Sequence, residues 1–189
     1  MLINLIVATC ATSTASTAST ASQGIGYQGQ MPWHLKADLQ NFSKLTKGKG
    51  NNAVVMGKQT WLSLPFAGFP DRDNLVLSTT STSFSVYIKN KRIIKNFSSY
   101  ASVMAHIASH KPAYDEVWII GGAAVYQTFL AAGVINNCYI TAIDKAFECD
   151  TFFPALEGSA WKEIERRQEY DETYACNVDY IVYHNTAVP

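Results

Sequence analysis

The first apolar run, Ile3-Asn4-Leu5-Ile6-Val7-Ala8, is rich in β-branched residues and does not alternate, the pattern of a central strand buried on both faces. Met1 to Ala11 has the apolarity of a short signal peptide, but no lysine or arginine precedes it and Asn4 interrupts it, so a strand is the better reading. Three tandem Ser-Thr-Ala units follow at residues 13 to 21. Such a tract cannot bury enough apolar surface to order itself, and it reads as a low-complexity loop insertion at about 12–22. Gly24-Ile25-Gly26 and Gly29 then supply tight backbone before Met31-Pro32-Trp33.

Beyond Pro32 the period changes to that of a helix, from about Leu35 to about Lys47, with Leu35, Phe42 and Leu45 on one face and Leu39 beside them. Ala53-Val54-Val55-Met56 is a strand ended by Gly57, and Lys58, Thr60 and Trp61 open a second helix. Asn74 to Ser78 is another strand, and residues 84–94 suggest one or two more. Ser98 or Ser99 caps a helix to about Ser109 with Val103, Met104 and Ile107 as its buried side. Glu116 to Ile120 is a strand broken by Gly121-Gly122, and a helix with Val125, Tyr126, Phe129 and Leu130 follows. The remainder is strand-rich: Cys138 to Ile143, Trp161 to Glu169 and Tyr174 to Tyr183. Strands alternating with helices, then strands alone, predict one α/β domain over residues 1–189. Its central sheet is mixed and mainly parallel, with an antiparallel C-terminal edge and about four flanking helices.

Lysine plus arginine equals aspartate plus glutamate, so a nucleic-acid or anionic-membrane partner is not expected. No apolar stretch approaches a membrane span, and a cytoplasmic monomer is expected. Cys10, Cys138, Cys149 and Cys176 are scattered without a C-x-x-C pair, and His34, His106, His110 and His184 have no ligand spacing. Free thiols in a reduced compartment and no metal are expected.

Asp38 lies on the apolar stripe of the first helix, three residues after Leu35 and four before Phe42. Burying an ionised carboxylate costs several kcal/mol unless donors meet it. Spacing leaves two readings open: an edge aspartate that reaches water, or a lone acid at the floor of an apolar pocket poised for a basic heterocycle. Val55-Met56-Gly57-Lys58 and Ile119-Ile120-Gly121-Gly122 both put glycine where a strand becomes a helix. Such a turn is either an ordinary helix entry or a backbone cradle for phosphate. Neither has the G-x-G-x-x-G or P-loop pattern.

Pro32-Trp33-His34-Leu35-Lys36-Ala37-Asp38-Leu39 resembles the P-W-x-x-x-x-D-[LM] signature of the dihydrofolate reductase family. Four further segments resemble that family's motifs in the same order: Met56 to Trp61, Arg72 to Ser78, Ile120 to Tyr126, and Thr141 to Asp144 with Asp150 to Pro154. The resemblance covers roughly residues 2 to 184. It implies NADPH-dependent reduction of 7,8-dihydrofolate, with binding of antifolate inhibitors expected. Asp38 would hold the pterin amino group and ring nitrogen, with Thr141 supporting the contact and Trp33 holding an ordered water. Ile6 and Ile120 would offer carbonyls to the pterin, Val7, Ala8, Leu39, Phe42 and Leu64 would wall the pocket, and Arg72 would grip the glutamate carboxylate.

The same resemblance assigns the cofactor to Ala8, Ile25, Gly26, Met31, Gly57, Lys58, Gln59, Thr60, Leu77, Ser78 and Thr79, and to the turn and helix start formed by Gly121, Gly122, Ala123, Ala124, Val125 and Tyr126. Lys58 would meet the 2′-phosphate of NADPH, and the Gly121–Gly122 peptide would be cis. Three features depart from the family's pattern: the Ser-Thr-Ala repeat falls in the loop that closes over nicotinamide, Asp71 and Asp73 flank Arg72, and Ala123 replaces a frequent glycine. The fold is also similar to that of a pyrimidine reductase of riboflavin synthesis, which gives no reason for Asp38 beside Pro32-Trp33 or for Arg72. A catalytically silent folate-binding protein with an altered lid is the reading from another class.

Overall fold

The computed structural model describes residues 1–12, 23–66, 68–79, 87–89 and 92–188. The Ser-Thr-Ala repeat, and with it the loop reading, lies outside these residues, as does part of the 84–94 segment. In chain order the elements are β1 (Leu2–Thr12), β2 (Gly24–Gly26), α1 (Lys36–Lys47), β3 (Asn52–Gly57), α2 (Lys58–Ser63), β4 (Arg72–Leu77), β5 (Tyr87–Lys89) and β6 (Arg92–Phe97). They continue with α3 (Tyr100–Ser109), β7 (Glu116–Ile119), α4 (Ala123–Ala131), β8 (Asn137–Phe147), β9 (Thr151–Phe152), β10 (Trp161–Asp171) and β11 (Cys176–Asn185). No described helix is long and apolar enough to cross a membrane.

The strands form one sheet in the order β10-β11-β8-β1-β7-β3-β4-β6-β5. β1 pairs in parallel with β7 and β8, β3 with β7 and β4, and β4 with β6. The final strands add antiparallel, β11 on β8 and β10 on β11. This is the mixed, mainly parallel sheet with an antiparallel C-terminal edge that the element order predicts.

Why the central strands read as continuous apolar runs is visible at β3. Ala53 and Val55 point into a core with α3 and α4, while Val54 and Met56 point into a second core with Phe42, Leu45 and Trp61. Period-two alternation therefore carries apolar residues to both faces. Val103 and Ile107 of α3, and Val125, Tyr126 and Phe129 of α4, are buried, each large side chain contributing roughly 1.5–3 kcal/mol. Asn4, the polar residue in the first run, is fully buried; its amide donates to Glu116 Oε1 at 3.2 Å, and its Oδ1 accepts from Asn137 at 3.0 Å. Ser99 caps α3, accepting from the Ser102 amide while the Ser102 hydroxyl accepts from the Ser99 amide, the reciprocal box that serine spacing allows.

Some bounds differ from the sequence reading. Leu35 has extended backbone and caps α1 from outside, so the helix begins at Lys36. Gly24-Ile25-Gly26, expected only as tight backbone, is a short strand that pairs with β1 at Cys10 and with β9. Ala175 has φ +50 in the turn before the last strand, which therefore starts at Cys176 and not at Tyr174. Leu39 is 37% exposed, because α1 rests on the sheet through Phe42 and Leu45 and leaves Leu39 at the open side.

Candidate active site

Parallel sheets collect ligand-binding groups at the carboxyl ends of their strands, where the helices turn away. Here the chain at that level comprises Ile6 to Ala8 on β1, just past its pairing with β7, Gly57 ending β3, Leu77 ending β4 with Ser78 beyond it, Ile120 to Gly122 after β7, and Thr141 within β8. Thr141 lies opposite Ala8 in the β1–β8 register. Asp38 reaches this point from the first turn of α1, and the Thr141 hydroxyl donates to Asp38 Oδ1 at 2.6 Å. The sequence separates the two by 103 positions; the crossover of α1 over the sheet joins them. Burial pushes the Asp38 carboxyl above the ordinary carboxylate range, and the Thr141 hydrogen bond pulls it partly back. Asp38 stays partly exposed at this point.

Trp33 is buried against Phe147, with ring centroids 5.4 Å apart, and its Nε1–H has no acceptor among the described residues. That donor is available to a bound water or ligand. Val7 is buried on the other face of β1, in the core with α3 and α4, while Ile6 joins Phe42, Leu64 and Ile120 in the second core. Ala8 packs beside Trp33.

Arg72 begins β4 and is 2% exposed. Its Nε donates to the Pro70 carbonyl at 3.0 Å, Nη1 donates to Thr46 Oγ1, and its guanidinium lies 5.1 Å from the Phe69 ring centroid. Thr46 in turn donates to Phe42 O at 2.8 Å, so the last turn of α1 braces the arginine. The two flanking carboxylates differ. Asp71 pairs with Lys47 at 2.8 Å, and its charge still favours the arginine cation against the desolvation that lowers it. Asp73 points to the far face, accepting from the Tyr114 hydroxyl at 2.7 Å and the Ile93 amide at 3.0 Å.

The two glycine turns meet each other. Gly57 N donates to Gly121 O at 2.7 Å, and a Cβ on Gly57 would approach Val125 at 3.2 Å. Gly121–Gly122 is cis, as the resemblance implies, and Gly121 has φ +111 with Tyr126 directly behind it. Gly122 caps α4 without a side chain, so the amides of Ala123 and Ala124 have no acceptor among the described residues. A helix start with free amides and no Cβ in front of it fits a phosphate-bearing cofactor. Thr60 borders the same turn, Lys58 opens α2, and Gln59 is exposed. Leu77 pairs with Gly57 across β3–β4, Ser78 is buried with its amide on Phe97 O at 2.8 Å, and Thr79 is exposed beyond it. Ile25 is half-buried, Gly26 O accepts from the Asp150 amide, and Met31 is exposed. Among the described residues no group of His, Cys, Asp or Glu could hold a metal.

Tyr126 stands apart from the expected cofactor contacts. It is fully enclosed, and its hydroxyl donates to the Ile6 carbonyl at 2.8 Å, so it ties α4 to the end of β1. Burial raises its phenol far above the ordinary range, keeping it a proton donor. Thr46 is the site residue that the sequence reading lacks; its only signal was a hydroxyl eight positions beyond Asp38 on the same helix. Tyr126→Phe would strand the Ile6 carbonyl, and it is expected to destabilise the fold by about 1–3 kcal/mol in urea unfolding.

Fold and site together define an α/β domain of the reductase type, with its polar groups gathered toward the strand carboxyl ends. A family model described as dihydrofolate reductase matches residues 14–185. A dihydrofolate reductase of Drosophila melanogaster is 36% identical over 162 residues, 82% of this chain and 81% of that protein. One from Gallus gallus is 32% identical over 176 residues, 89% and 84% of the two chains. A bifunctional dihydrofolate reductase-thymidylate synthase of Daucus carota is 34% identical over 148 residues, 75% of this chain but 28% of its own length. The chain belongs to the dihydrofolate reductase family. It is a dihydrofolate reductase enzyme of folate metabolism, in a family that generally uses NADPH and binds dihydrofolate as substrate.

Proposed function

We propose that this chain acts as one domain that binds dihydrofolate along α1 and NADPH across the two glycine turns, with Asp38 as the residue that activates the pterin. The hydrogen bond from Thr141 to the partly desolvated Asp38 carboxylate carries this reading. When bound, NADPH supplies from nicotinamide C4 the hydride that reduces C6 of the pterin. Asp38 holds the pterin amino group and ring nitrogen, and its negative charge favours a proton on the heterocycle. Thr141 keeps the carboxylate oriented. Asp38 would act by polarising the pterin and not by touching N5; water would deliver the proton there, with Trp33 Nε1–H as a donor able to orient it. Ile6 and Ile120 carbonyls face the amino group, and Tyr126 keeps the Ile6 carbonyl in register. Ala8, Leu39, Phe42 and Leu64 exclude bulk water from the reacting atoms, whereas Val7, expected to join them, faces the core with α3 and α4 instead.

The distance from Asp38 to Thr46 supports an elongated ligand. Eight residues of helix rise about 12 Å, so α1 presents an acid for a heterocycle at one end and, through Thr46, a braced arginine at the other. Arg72 offers a planar fork to a carboxylate there. Ala123 and Ala124 amides, with Gly57, Thr60, Gly121, Gly122 and Val125, form a cradle that fits the cofactor's pyrophosphate. Ile25, Gly26 and Met31 border nicotinamide, while Lys58, Gln59, Leu77, Ser78 and Thr79 serve the adenosine half. Loss of NADPH absorbance on adding dihydrofolate tests the whole assignment, and reduction of a pyrimidine in its place would overturn the substrate.

Lys58→Ala separates the cofactor roles. A charge-assisted contact to the 2′-phosphate contributes roughly 1.5–3 kcal/mol, so NADPH should lose about 10- to 150-fold in affinity while NADH changes little. Equal losses in titrations with both cofactors would remove Lys58 from the phosphate site.

A further inference from the structure

We propose that Cys10 and Cys149 form a reversible thiol–disulfide site whose oxidant is a low-molecular-weight disulfide such as oxidised glutathione. The sequence scatters the cysteines, but folding brings these two sulfurs to 3.5 Å, from positions 139 residues apart. The approach is built into the backbone. Gly24 pairs with Cys10 across β1–β2, and a Cβ on Gly24 would collide with the Cys149 sulfur and come within 3.1 Å of that of Cys10. Only glycine lets the sulfurs share that space. Bond formation needs them to close by about 1.5 Å, to the usual disulfide length, within reach of side-chain rotation. The site bridges the end of β1 to the β8–β9 connection, where Asp150 already accepts from the Gln28 amide at 2.8 Å and donates its own amide to Gly26 O.

The two sulfurs have different roles. Cys149 is partly exposed, whereas Cys10 is 3% exposed and its thiol is pushed up to about 12 by burial and by the Cys149 contact. Cys149 Sγ therefore attacks first, on one glutathione sulfur; the glutathione S–S bond breaks and one glutathione leaves as thiol with the Cys149 proton. Cys10 Sγ then attacks the Cys149 sulfur of the mixed disulfide, and the second glutathione leaves with the Cys10 proton. Two protein thiols are oxidised by two electrons, and one glutathione disulfide is reduced to two thiols.

Reduced full-length protein, freed of reductant, is incubated with oxidised glutathione and read by thiol titration and non-reducing peptide mass mapping. Free thiols should fall from four to two, with one peptide pair joining Cys10 to Cys149, reversed by dithiothreitol. Cys149→Ser, at the accessible end, should keep its thiols in the folded protein. Cys10→Ser should stop at one glutathione on Cys149. Persistent glutathionylation of the unaltered protein without the internal link, a link through Cys176 from the same apolar cluster, or four surviving thiols would each overturn the proposal.

Discussion

Asp38→Asn is expected to lower turnover at neutral pH by about 10²–10⁴-fold while leaving the fold and NADPH binding intact. The amide still accepts from Thr141, so the local geometry survives. What is lost is the negative charge that favours a proton on the pterin, and the deficit should narrow as pH falls and the substrate arrives already protonated. Rate against pH, measured for both proteins, checks this; full activity of the variant at pH 7 to 8 would sink the role. Stability should move the other way. Burial raises the Asp38 carboxyl above its unfolded value, so between those two values the folded chain binds more protons than the unfolded chain. Stability of the unaltered protein therefore falls as pH rises through that window, and the asparagine variant escapes the loss. Its melting temperature should exceed the parent's at neutral pH, and the difference should vanish below the ordinary carboxylate range.

Arg72→Ala is expected to weaken dihydrofolate by about 2–5 kcal/mol, roughly 30- to 5000-fold, with little effect on a pterin that lacks the glutamate tail. The flanking aspartates do not predict a weaker effect, because Asp71 pairs with Lys47 and Asp73 is engaged on the far face. Arg72 is buried and braced by Thr46, so the alanine variant should also lose stability; comparing the two ligands at one temperature separates binding from folding. Parallel losses for both ligands would make Arg72 structural.

Most elements were legible because each carries a local signal. β3 and β7 are short apolar runs closed by glycine, α3 has its serine cap, and the alternation of strands and helices fixes a parallel sheet before any contact is known. β2 and β9 were not legible, since strands of three and two residues owe their pairing to β1 and to each other, with no pattern of their own. The start of α1 was legible to within one residue: Leu35 is apolar and in phase, but its extended backbone makes it the cap and Lys36 the first helical residue.

The site divides in the same way. The residue types at Asp38, Arg72 and the two glycine turns were set by the sequence, since each needs a charge or a missing Cβ that no neighbour can supply. What meets Asp38 was a tertiary matter: periodicity gives a face, but only the packing of α1 against β3 and β7 brings a hydroxyl of β8 within 2.6 Å and partly desolvates the carboxylate. Tertiary structure also sent Tyr126 behind the site to hold the Ile6 carbonyl, turned Asp73 away from Arg72, and set Thr46 against its guanidinium. Hydrogen bonds between residues far apart in the chain depend on strand register and helix placement, and neither is encoded at any single position. Sequence by itself determined the elements and the chemical groups available; the crossing of α1 and α4 over the sheet decided which of those groups meet.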